Sequence, residues 1–313
     1  MNLKHTMKTS LPFPARSAFA AAALFLTGAG LPAATTIDAT AAHAYGANIG
    51  WINCRGDVTN GAAIGEFICS GYFYSANCGW ISLGGGAPAN GIRYQNNSAT
   101  DFGVNTQDYS ANGTTSEAKL RGFAYGANIG WVNFEATGNP RVDLTTGRLL
   151  GYAWGANVGW IALSETGVTV RTTSIAAGAD TDGDGIPDAW ERLYAGNLTT
   201  MNATTDSDGD GVLDVDEYAA DTNPLDSSDR LRITLLVPPR QLVVAGPFVT
   251  DLAWTSKPSR KYAIETNTTL LATWNVAASG IIPSAGPTTA VQFTDIQAGQ
   301  RFYRVQGKLP LAP

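Results

Sequence analysis

A mainly β, multi-domain fold is what this sequence predicts, on three observations. A ten-residue motif, AYGANIGWIN at Ala44, returns as FYSANCGWIS at Phe73, AYGANIGWVN at Ala124 and AWGANVGWIA at Ala153, and a fixed internal period marks a repeated supersecondary unit. Charged residues make up only 15% of the 313 residues while Gly numbers 35 and Trp 8, a turn-rich, aromatic composition that suits short strands. Beyond residue 230 the chain turns to short alternating runs separated by turn residues. A chain of this length has room for two or three domains, each with its own core.

The N-terminus places Lys4, Lys8 and Arg16 before the apolar run Ala18 to Leu26, followed by small residues through Gly30 to Ala34. This is the layout of a secretory signal peptide, here residues 1–33. The apolar run falls short of the about twenty residues that a membrane-spanning helix needs. The expectation is therefore a secreted or cell-surface protein with no transmembrane anchor after cleavage.

The repeat region is expected over residues 42–175. Its tryptophans, Trp51, Trp80, Trp131 and Trp160, are spaced 29, 51 and 29 apart, so two pairs recur with a period of 80. Each copy reads as a hairpin: an aromatic-bearing strand, a turn whose Gly and Asn tolerate positive φ, and a returning strand. Stacked meanders of this kind build a sandwich, a barrel or a propeller-like array. An identical residue in every repeat is first a packing requirement, so the tryptophans are expected as core pillars and Asn48, Asn77, Asn128 and Asn157 as turn formers. The alternative is a carbohydrate-binding face made of the repeat Trp, Tyr and Asn. Cys54, Cys69 and Cys78 occupy positions that are apolar in sister repeats. One disulfide with a thiol left over, or three buried free thiols, both fit that placement. The motif resembles a G-x-A-W-x-x-N-x-G-W-I repeat of secreted bacterial proteins, a resemblance that implies a fold and no activity.

Between residues 178 and 229 the chain reads DTDGDGIPDAWE, fourteen further residues, then DSDGDGVLDVDE. In the first dodecamer Asp180, Asp182, Asp184, Asp188 and Glu191 stand at positions 1, 3, 5, 9 and 12, with Gly185 at position 6. In the second, Asp206, Asp208, Asp210, Asp214 and Glu217 repeat the pattern around Gly211. That spacing wraps a hard, oxygen-seeking cation, with Ile186 and Val212 at position 7, where the ligand is a main-chain carbonyl. From Asp180 to Asp229 fourteen acids face one base, Arg192; such a charge block repels itself unless a divalent cation, Ca²⁺, offsets it. Only exiting helices are expected, Pro187 to Tyr194 and Leu213 to Ala219, with Trp190, Leu193 and Tyr194 packing on Val215 and Tyr218. No entering helix precedes Asp180, and Pro187 stands where an EF-hand carries an aliphatic. The segment therefore resembles thrombospondin type 3 and dockerin-like calcium repeats rather than a calcium-sensing EF-hand. The dockerin side of that resemblance implies a protein receptor.

Residues 230–308 carry the runs LRITLLV, FVTDLAWTS, KYAIETNT, AVQFTDI and RFYRVQG. Trp254, Tyr262 and Tyr303, with FTDIQAGQRFYRV, resemble the core aromatics and final strands of fibronectin type III domains, which implies a small β-sandwich.

Several functions are excluded by what the sequence lacks. After signal cleavage one histidine remains, His43, which removes most triads and zinc-hydrolase sites. No phosphate-binding loop, dinucleotide fingerprint or nucleophile elbow is present. A two-carboxylate glycosidase would have to use Glu135 and Glu165, which stand in an otherwise acid-poor region. No basic cluster outside the acidic segment is rich enough for nucleic acid. The expectation is a non-catalytic, calcium-binding extracellular protein with an adhesive or structural role, partnered by a protein or a glycan.

Overall fold

Each copy of the repeat motif forms a hairpin: Ile37–Gly46 with Gly50–Asn53, Tyr72–Ser75 with Gly79–Ser82, Ser116–Gly126 with Gly130–Asn133, and Tyr152–Gly155 with Gly159–Ala162. The reversals need glycine: Gly50, Gly79, Gly130 and Gly159 lie at φ between +72° and +79°, where a side chain is strained. The coordinates are a computed structural model that describes residues 34–270, 273–296 and 300–312. The signal-peptide expectation falls on residues 1–33, outside the described residues. Among the described residues no helix is long and apolar enough to cross a membrane.

The four hairpins close on themselves. The first pairs with the second through Asn53 and Tyr74, the second with the third through Ser82 and Tyr125, the third with the fourth through Asn133 and Trp154, and the fourth with the first through Ala162 and Tyr45. The result is a closed eight-stranded barrel, which answers how the repeats protect their sheet edges. The remaining strands extend its wall. Arg141–Asp143 and Arg148–Leu150 pair around the TTG turn, and Val168–Thr172 joins that hairpin to the first strand.

A ring of side-chain amides locks the hairpin tips. Asn48 Nδ2 donates to the Val158 carbonyl, Asn77 to Ile49, Asn128 to Cys78 and Asn157 to Ile129, at 3.0–3.1 Å. Each asparagine thus holds the turn of the neighbouring copy, and the four bonds run once round the barrel. The asparagines sit in the turns, as expected, and in addition act as inter-repeat ties. Replacing Asn128 by alanine removes one donor from this ring and is expected to cost about 1–2 kcal/mol, read by urea unfolding.

Strand alternation decides which side chains face inward. Ala44, Ile52, Phe73, Ile81, Ala124, Val132, Ala153 and Ile161 point into one core, together with the turn residues Ile49, Cys78, Ile129 and Val158. Their strand neighbours must then point out. Trp51, Trp80, Trp131 and Trp160 are 43–54% exposed, which corrects the expectation that they are core pillars. Each packs against an aromatic on its own hairpin, Tyr45, Tyr74, Tyr125 or Trp154, with ring centroids 4.8–5.2 Å apart. The three cysteines are free and buried, and burial pushes the Cys54 and Cys69 thiols up.

Residues after 230 form two three-stranded sheets. Ile233–Gln241, Phe248–Thr255 and Thr288–Asp295 make one; Asn275–Ile281, Lys261–Asn267 and Phe302–Lys308 make the other. Leu252, Trp254, Tyr262, Ile264 and Phe293 fill the space between them. Asn275–Ile281 adds a strand between the runs KYAIETNT and AVQFTDI, where NVAASGI lacks the alternation of its neighbours.

One buried cluster ties the barrel, the acidic segment and this sandwich together. Arg260, fully buried, donates to Glu66 Oε1 at 2.7 Å, to the Tyr218 carbonyl at 2.7 Å and to the Ala219 carbonyl at 3.0 Å. The Tyr218 hydroxyl donates to Glu66 Oε2 at 3.1 Å. Asp221, 3.9 Å from Arg260, is part-exposed, while Arg260 and Glu66 are deeply buried, and the cluster draws on three segments of the chain: Glu66, Tyr218 with Ala219, and Arg260.

Candidate metal centre

The acidic segment folds into two loops, each leading into a short helix: α1 (Asp188–Tyr194) and α2 (Asp214–Ala220). The position-1 aspartate of each loop shapes its turn. Asp180 accepts from the amides of Gly183 and Gly185, at 2.8 and 3.0 Å, and Asp206 accepts from Gly209 and Gly211, both at 2.9 Å. Gly183, Gly185, Gly209 and Gly211 all take positive φ, so the loop can curl round a point. In consequence one oxygen from each of Asp180, Asp182 and Asp184 lies within 4.8 Å of the others, and likewise for Asp206, Asp208 and Asp210.

The helices bring the position-12 glutamates to the same places. Glu191 and Glu217 are fully buried. Both carboxylate oxygens of Glu191, Oε2 of Glu217, Asp184 Oδ2, Asp208 Oδ2 and Asp210 Oδ2 are buried without a hydrogen-bond partner. Leaving buried charged oxygens unpaired is costly. Asp210 Oδ2 has Arg230 at 3.3 Å as an ionic partner; the other five oxygens, gathered at two equivalent places, fit a hard divalent cation with oxygen ligands, and that donor set contains no nitrogen or sulfur.

The position-9 aspartates are turned elsewhere. Asp188 accepts from the Thr181 amide and hydroxyl, both at 2.7 Å, and pairs with Arg192 at 3.3 Å. Asp214 accepts from the Ser207 amide and hydroxyl and from the Thr205 hydroxyl. They brace the loop across its mouth, while the triads and glutamates face one another. Ile186 is buried against Trp190 and anchors its loop by side chain, while Val212 is half-buried. Thr181 and Ser207 were missed by ligand spacing, although a hydroxyl at position 2 in both loops is a repeated signal. Arg230 was missed as well: its guanidinium lies 3.3 Å from Asp210 Oδ2 and donates to the Asp210 carbonyl at 3.0 Å.

The helices pack as expected with one exception. Trp190 meets Tyr194 and Tyr218, alongside Met201 and Phe67 of the barrel. Leu193 stays 45% exposed, because a seven-residue helix turns that position away from its partner.

Without a bound cation, burial and then the neighbouring aspartates push Glu191 and Glu217 up to about 7. A folded-state carboxyl raised above its unfolded value takes up protons on folding, so its share of stability is greatest below about pH 4.5 and falls as pH rises to about 7. Calcium-free protein is therefore expected to lose stability from pH 5 to pH 8 relative to a Glu191→Gln, Glu217→Gln double variant. Thermal unfolding in chelator measures that difference, and its absence would deny that the glutamates are charged and buried.

A scan against family models matches residues 180–196 and 206–227 to the bacterial TSP3 repeat. No curated protein and no solved structure matches the chain. TSP3 repeats bind calcium, and the two aspartate triads lie inside the matched stretches; the acidic segment is similar to the bacterial TSP3 repeat at two places, and its aspartate clusters fit calcium binding.

Proposed function

We infer that this is a secreted, non-catalytic protein of the extracellular space or cell surface, in which Ca²⁺ sets a rigid connection between the barrel and the C-terminal sandwich. The carrying observation is the pairing of orphaned carboxylate oxygens with the buried Arg260 cluster. Glu217, a position-12 ligand, directly precedes Tyr218 and Ala219, whose carbonyls receive Arg260. A cation held by Asp180, Asp182, Asp184, Ile186 and Glu191, and a second by Asp206, Asp208, Asp210, Val212 and Glu217, would offset the repulsion within each loop. Asp188 and Asp214 act as braces. With the loops collapsed, α2 is held where the arginine from the sandwich and the glutamate from the barrel both reach it. Such a connection suits an adhesive or structural role, in which two β-units must keep a fixed spacing under load, and millimolar external calcium suits loops of modest affinity.

The fibronectin type III likeness of residues 230–308 belongs to the same reading and is supported by two facing sheets around Trp254 and Tyr262. Limited proteolysis tests the connection. Cleavage between Asp180 and Asp229 should slow markedly in millimolar Ca²⁺ and not in Mg²⁺. Equal cleavage with and without calcium would remove the strut from the account.

A further inference from the structure

The exposed aromatics of the barrel have no part in the calcium connection. Tyr152, Trp154 and Trp160 of the fourth hairpin form a contiguous platform, with Trp160 edge-on to Trp154 at 4.8 Å and to Tyr152 at 6.1 Å. Trp154 and Trp160 remain 41% and 43% exposed. They also line a cleft of about 320 Å³ together with Asn133, Glu135, Thr137 and Gly138. The floor is built for close approach: a Cβ on Gly138 would stand 2.0 Å from the Tyr152 carbonyl and 3.1 Å from the Trp160 ring. Asn133 Oδ1 accepts from the Glu135 amide at 2.5 Å, which fixes the loop that carries the carboxylate. Glu135 is exposed and lines the cleft, and its carboxylate makes no hydrogen bond among the described residues.

We propose that this cleft between the third and fourth hairpins is a binding subsite for a neutral oligosaccharide of pyranose units, with the indoles of Trp154 and Trp160 as the stacking surface and Glu135 as the hydroxyl acceptor. Sites for small ligands combine aromatic walls with a few placed polar groups, and a pyranose ring presents that same pairing in reverse, a flat C–H face edged by hydroxyl donors. An ionised carboxylate only accepts, so Glu135 selects for hydroxyls and against anionic sugars. The indoles are held in place by their edge-on neighbours, which reduces the side-chain ordering that binding requires.

The pseudo-equivalent junction supplies an internal comparison. Eighty residues earlier, Asn53, Arg55, Tyr74 and Trp80 occupy the matching places. There Arg55 replaces the carboxylate and donates to the Ile37 carbonyl, and Tyr74 replaces one indole. The barrel symmetry is kept while the polar group and one ring are exchanged, so the third and fourth hairpins, unlike the first and second, combine two indoles with a carboxylate acceptor.

The test is calorimetric titration of the full chain, loaded with calcium, against cellohexaose, chitohexaose and polygalacturonate. One of the two neutral hexasaccharides should bind, with polygalacturonate silent. Trp160→Ala should weaken binding at least tenfold, and Glu135→Gln by about tenfold, the range of a hydrogen bond to a charged group. Trp80→Ala should leave it unchanged. Both side chains are exposed, so unchanged thermal unfolding certifies the variants. Silence from both neutral probes, full affinity in Trp160→Ala, or a preference for polygalacturonate would overturn the proposal. Loss of the indoles into a dimer interface, seen by sedimentation as self-association that Trp160→Ala abolishes, would also overturn it. A separate Ca²⁺ titration of the calcium-free chain distinguishes a failed sugar site from a failed calcium reading.

Discussion

Replacing Arg260 by methionine is expected to destabilise the protein by about 3–5 kcal/mol, the range for removing one partner of a buried ion pair. The size follows from what is left behind. Glu66 would keep a buried carboxylate with only the Tyr218 hydroxyl to answer it, the Ala219 carbonyl would lose the arginine donor, and the Tyr218 carbonyl would keep only the Asp221 amide. The surface pair Arg240 and Asp251 provides the control. With side chains 37% and 28% exposed, Arg240→Met should cost less than about 1 kcal/mol. A Glu66→Leu, Arg260→Met double variant should recover much of the loss, since a buried pair replaced by apolar groups is often neutral or better. Guanidinium unfolding reads all three. A loss under 1 kcal/mol in Arg260→Met would mean that the cluster does not hold the three segments together.

Calcium removal is the second large effect, and its sign reverses with the variant. With free Ca²⁺ a hundredfold above Kd, each loaded loop contributes about 2.7 kcal/mol. Glu191→Gln and Glu217→Gln each remove a charged ligand and should forfeit most of one such contribution in calcium. In chelator at pH 8 the same variants should be at least as stable as the parent, because the amide removes a buried charge that nothing offsets. Only a carboxylate whose charge is a burden without the ion and useful with it gives that crossing. Variants that lose stability equally in both conditions would assign the glutamates a packing role alone.

Much of this was legible in the residues. The two calcium loops announce themselves by spacing, since each ligand position is set by the local turn and needs no distant contact. The four hairpins were legible too, because the glycine that closes each bend is demanded by positive φ. The facing of the tryptophans was misjudged from their recurrence. Alternation held the answer: Ala44 and Ile52 can fill a narrow barrel, and their neighbours Tyr45 and Trp51 must then point out. The asparagine ring and the Arg260 cluster were not legible, because both join residues far apart in the chain. Asn48 meets Val158, and Glu66 meets Arg260. Such pairs follow from barrel closure and from the docking of segments, which no local pattern encodes. The position-9 aspartates fell between these cases. Spacing marked Asp188 and Asp214 as candidate ligands, and hydroxyls two places into each loop turn them into braces.

Calorimetric titration of the full chain with Ca²⁺ tests the central claim most directly. Two ions per chain should bind, each of Glu191→Gln and Glu217→Gln should leave one, and the double variant none. No heat at millimolar calcium, or a stoichiometry that the glutamine variants leave unchanged, would contradict it.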